Sequence, residues 1–123
     1  EGRTVWLWAL GDLVPLACET ASRLAASGVR AGVVNARFVK PLDTALLLGQ
    51  AAQAAAFATL ENGAVAGGFG SAVREALGER GVSVPVLAFG WPDRFVGQGT
   101  TAQLLEDYGL TPERLSESIR SRL

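Results

Sequence analysis

The chain has 123 residues, enough for one domain with a substantial core and too few for two ordinary domains. Apolar residues make up 49%, which excludes a disordered chain, and a net charge of −1 with mixed signs gives no electrostatic basis for binding nucleic acid or an anionic membrane. Histidine is absent, which removes the commonest general base and the commonest metal ligand together.

In chain order, residues 4–10 are apolar and rich in β-formers, the pattern of a buried parallel strand. Trp6 and Trp8 fall on one face of it. Pro15 suits the first turn of a helix over 16–27, where Leu16, Ala17, Ala21, Leu24 and Ala25 recur at helical spacing and Gly28 is placed as the stop. Cys18 is the only cysteine. The apolar Leu16 and Ala17 before it predict a buried thiol in a reducing compartment, hence a cytoplasmic location. No apolar run approaches the ~18 residues of a membrane span. The chain starts at Glu1 and contains no methionine, so either a processed chain or a piece of a longer polypeptide is expected.

A second strand is expected over 29–36. A connector follows, because Pro41 disfavours helix at Lys40, and then a helix from an Asp43 cap to about Ala55. A third strand is expected over 56–60, a glycine-rich loop over 61–70, a helix over 71–80 stopped by Gly81, and a fourth strand over 84–89. Residues 91–99 read as irregular, with a short helix from Thr100 or Thr101 to about Tyr108. Thr111-Pro112-Glu113 then opens the last helix with a cap, a proline and a first-turn acid. Alternating strands and helices predict a single three-layer α/β/α domain over 1–123 with a mostly parallel sheet of four to five strands.

Ligands of open α/β sheets sit beyond the carboxyl ends of the strands. Asp12, Arg37 and Glu61 fall at those ends and are candidate rim residues, with helix capping and mutual pairing as the competing reading. The segment Gly67-Gly68-Phe69-Gly70-Ser71 is the candidate anion or interface loop, since backbone N–H groups at a helix start hold phosphate or carboxylate. It is neither a dinucleotide fingerprint nor a phosphate loop: Val73 stands where the first needs glycine or alanine, and no Gly-Lys-Ser/Thr occurs. The alternative is that the glycines permit a tight turn and close packing. Ser71 and Cys18 have no histidine to activate them, Glu75 and Glu79 read as a solvated helix face, and the acids are too scattered to hold a metal. No catalytic, cofactor-binding or metal residue is therefore assigned.

Three stretches taken together carry a resemblance. Arg37-Phe38-Val39-Lys40-Pro41-Leu42-Asp43, then Glu61-Asn62 with Gly67-Gly68-Phe69-Gly70-Ser71-Ala72-Val73, then Pro92-Asp93-Arg94-Phe95 with Gln98-Gly99 and Tyr108-Gly109-Leu110, match in order and spacing the C-terminal region of the 1-deoxy-D-xylulose-5-phosphate synthase family. One departure is Leu60, where the family often has the first of two glutamates. The resemblance implies a transketolase C-terminal-like fold with a fifth, antiparallel strand. It also implies a three-domain parent transferase that condenses pyruvate with glyceraldehyde 3-phosphate, releasing carbon dioxide, for isoprenoid, thiamine and pyridoxal biosynthesis. Thiamine diphosphate and magnesium would serve the parent from its other domains, and this domain would contribute structure and homodimer contacts. The competing readings are a small-molecule-binding regulatory domain, or the equivalent domain of transketolase or of a 2-oxo acid dehydrogenase β-subunit.

Overall fold

The computed structural model describes residues 3–9, 13–35, 44–62, 69–91 and 110–123. Within them run β1 (Thr4–Ala9), α1 (Val14–Ala26), β2 (Ala31–Asn35), α2 (Thr44–Ala51), β3 (Ala54–Asn62), α3 (Phe69–Glu79), β4 (Val86–Trp91) and α4 (Pro112–Ser121). The strands form a parallel sheet in the order β2-β1-β3-β4. Residues 92–109, with the predicted helix ending at Tyr108, and the Asp43 cap lie outside the described residues. No antiparallel strand occurs among the described ones.

Alternation along the strands builds two cores. Val5, Leu7 and Ala9 of β1, with Ala58 and Leu60 of β3, meet Ala17 and Leu24 of α1 and Leu115 and Ile119 of α4. The opposite face carries Trp8 and Phe57, covered by Leu47 and Ala51 of α2 and by Phe69, Val73 and Leu77 of α3. Each fully buried side chain of this size contributes about 1.5–3 kcal/mol. Trp8 also donates its indole N–H to Gln50 Oε1 at 2.9 Å. Trp6, on the same face, is half-buried and lies over the Cα of Gly32 on β2, where a side chain would collide with the ring.

The ends of the elements follow local chemistry. Gly28 (φ +88°) and Gly81 (φ +70°) adopt the left-handed conformation that glycine tolerates without strain, and they end α1 and α3. The Thr111 side chain accepts the Arg114 N–H at 3.2 Å, and Pro112 opens α4 as expected. The middle helix is shorter than expected, because the chain enters β3 at Ala54, two residues before the expected strand start. Cys18 is exposed rather than buried. Ala17, Thr20 and Leu24 mark the buried stripe of α1, and Cys18 stands about 100° round the helix from Ala17.

Candidate functional site

Strand β3 runs two residues further than expected and takes Glu61 and Asn62 into the sheet. Glu61 therefore points to the same face as Phe57 and Thr59, under the start of α3. The residue is only 4% exposed. Oε1 accepts the Phe69 N–H at 2.7 Å, and Oε2 lies 3.4 Å from the Gly70 nitrogen, which donates to it. The first helical N–H groups have no partner within a helix and carry its positive dipole end, so an anion there is stabilised twice. The chain supplies that anion itself, from eight residues upstream. For Glu61 the capping reading of the rim residues is the one observed.

Helix α3 starts at Phe69, two residues before the expected Ser71, because these bonds extend it backwards. Phe69 is completely buried and stacks obliquely on Trp8, with ring centroids 6.2 Å apart and planes at 44°. Within the candidate interface loop, the Phe69 ring therefore closes its own domain's core. Gly70 does not adopt a positive φ. A Cβ built on it would stand 2.7 Å from the Ala88 Cβ and 3.0 Å from Thr59 Oγ1. Close approach of α3 to β3 and β4 explains this glycine. The Phe69 and Gly70 amides, two donors of the candidate anion loop, are engaged by Glu61. Ser71 is exposed. Asp12, Arg37, Gly67 and Gly68 lie outside the described residues.

Leu60 illustrates the departure from the paired-glutamate pattern. Neighbouring residues of a strand face opposite ways, so Leu60 enters the α1–α4 core while Glu61 faces α3. A small, mainly apolar pocket there is lined by Leu13, Leu16, Leu60, Phe89 and Leu110, with Glu61 and Gly90. Among the described residues no group of three or more His, Cys, Asp or Glu side chains is placed to hold a metal ion. No described helix is long and apolar enough to cross a membrane.

The sequence matches the family profile described as "Transketolase, C-terminal domain" over residues 1–115. The chain belongs to the transketolase C-terminal domain family. Curated relatives are 1-deoxy-D-xylulose-5-phosphate synthases. That of Acidobacterium capsulatum is 46% identical over 119 residues, covering 97% of this chain and 19% of the relative. That of Pelotomaculum thermopropionicum is 48% identical over 125 residues, covering 99% and 19%. That of Gloeobacter violaceus is 44% identical over the whole chain, covering 19% of the relative. The chain thus spans about a fifth of the length of these relatives. Among solved structures, a split-gene transketolase described as an inactive beta4 tetramer superposes with a TM-score of 0.85 at 40% identity, covering 98% of this chain and 39% of that one. The transketolase C-terminal fold expected from the motifs is the fold found.

Proposed function

We propose that this transketolase C-terminal domain is part of a 1-deoxy-D-xylulose-5-phosphate synthase, a thiamine-diphosphate-dependent transferase of isoprenoid precursor biosynthesis. The parent joins pyruvate to glyceraldehyde 3-phosphate with loss of carbon dioxide. The observation that carries the reading is near-complete coverage of this chain, at 44–48% identity, by relatives that all bear that activity's name.

The Phe69 and Gly70 amides at the start of α3, donors that a diphosphate could use, are met by Glu61, which supports placing the cofactor outside this domain. No catalytic step is assigned to this chain. Thiamine diphosphate and magnesium belong, in this reading, to the remainder of the parent, and this domain supplies structure and contacts within a cytoplasmic homodimer.

Two assays test the proposal. The complete parent polypeptide should form 1-deoxy-D-xylulose 5-phosphate from pyruvate and glyceraldehyde 3-phosphate, and should not transfer two-carbon units between sugar phosphates. The 123-residue chain alone should form no product above a no-protein blank. Ketol transfer by the parent would move the reading to transketolase, and product from the chain alone would overturn the structural role.

A further inference from the structure

Among the described residues β4 has one neighbour, β3. In a parallel pair, alternate residues of a strand bond to the same neighbour. The Phe57 N–H donates to the Pro85 C=O at 2.9 Å, and this sets the phase: Leu87 and Phe89 direct their backbone groups at β3, while Val86, Ala88 and Gly90 turn theirs outward. Arg74 of α3 agrees with that phase, since its Nη2 donates to the outward Val86 carbonyl at 3.0 Å. A row of outward amides and carbonyls is a template for a further strand.

Beside this edge lies a cleft of about 210 Å³, lined by residues 86–89 together with Arg74, Ser118 and Arg122. The two arginines come from opposite layers, Arg74 from α3 and Arg122 from the end of α4, so cations flank the strand edge on both faces. No described acidic residue lines the cleft. The cleft between α1 and α4 is different. There Arg23 is held by Glu113 at 2.7 Å, and Arg120 stands with Glu117 on the same lining. Among the described residues Arg122 has no carboxylate partner.

We propose that the outer edge of β4 receives an extended acidic polypeptide segment of a partner protein as an added strand. Its backbone pairs with Ala88 and Gly90. Adjacent residues of a strand project to opposite faces, so two consecutive acids meet Arg74 on one side and Arg122 on the other. This proposal is independent of the reaction assigned to the parent.

The test is fluorescence anisotropy with the complete polypeptide and a fluorescein-labelled peptide carrying two adjacent glutamates within a threonine- and valine-rich stretch. Saturable binding is expected. Arg122→Glu, on an exposed helix end, should weaken it by at least about tenfold. Methylating the peptide's backbone nitrogens on its pairing edge should weaken it similarly while leaving the charges in place. A matched peptide with lysines for the glutamates should not bind. Absence of saturable binding, equal binding of the lysine peptide, or full binding of the N-methylated peptide would each overturn strand addition at this edge.

Discussion

Helices α1 and α3 both follow a strand out of the carboxyl rim of the sheet, but their first turns are completed in opposite ways. At α1 the N-cap position is Leu13, in a helical conformation, with no side-chain cap bond and with Pro15 in the first turn removing one of the donors that would need a partner. At α3 the partner is the carboxylate of Glu61, eight residues upstream and buried. The first arrangement is local: the proline has no N–H to satisfy. The second ties the helix to the sheet, and its removal leaves polar groups stranded where water does not reach.

The comparison is broken most severely at Glu61. Glu61→Leu removes both acceptors and leaves the Phe69 and Gly70 amides unpaired. A loss of about 3 kcal/mol is expected in urea unfolding, with Glu61→Gln intermediate because one oxygen remains. A loss under about 1 kcal/mol for the leucine variant would mean that α3 is held by packing alone. The next effect belongs to the same junction. Gly70→Ala places a methyl group against Ala88 and should cost about 1–3 kcal/mol. The double variant with Ala88→Gly should recover part of that cost, and strict additivity would show that the two sites do not touch.

A smaller effect is expected where a cap is exposed. Thr111→Ala deletes the side-chain acceptor of the Arg114 N–H at the start of α4, on the surface. Water replaces the lost partner there, so the cost should be about 1 kcal/mol, well below that of Glu61→Leu. Equal losses at the two caps would remove burial as the reason for the difference.

The same contrast explains what the sequence disclosed. The α4 start was legible because Thr111, Pro112 and Glu113 are contiguous and their chemistry is local. The order of the four strands and four helices among the described residues was legible from apolar runs and from Gly28 and Gly81 at the helix ends. The start of α3 was not, because it depends on Glu61, whose place in the strand is fixed by pairing with β4. The direction of Phe69 is not fixed by its small-residue neighbours in sequence; it is decided by Trp8, sixty-one residues away in sequence and beside it in the core. Cys18 was misplaced for a simpler reason. Leu16 and Ala17 before it are apolar, but burial on a helix follows its face, and the buried stripe of Ala17, Thr20 and Leu24 passes it by.

The smallest expected effect has the opposite sign and lies between Glu61 and Phe57 on the same strand face. Thr59 is fully buried, and among the described residues its Oγ1 has no hydrogen-bond partner. The hydroxyl sits where α3 comes closest to the sheet, near the Cα of Gly70. An unsatisfied buried hydroxyl costs free energy that a methyl group of similar shape does not. Thr59→Val should therefore leave stability unchanged or raise it by up to about 1 kcal/mol, read as a shift of the urea midpoint at constant m-value. The added bulk of the methyl group works against this gain, which is why the expected change is small. Thr59→Ser separates the two contributions: it keeps the hydroxyl, loses only the methyl group, and should destabilise. A loss of more than about 1 kcal/mol in Thr59→Val would mean that the hydroxyl is satisfied, with a buried water as the natural partner. In that case α3 would be joined to the sheet by a second polar contact beside Glu61, and the difference between α1 and α3 would be larger than the Glu61 bonds alone provide.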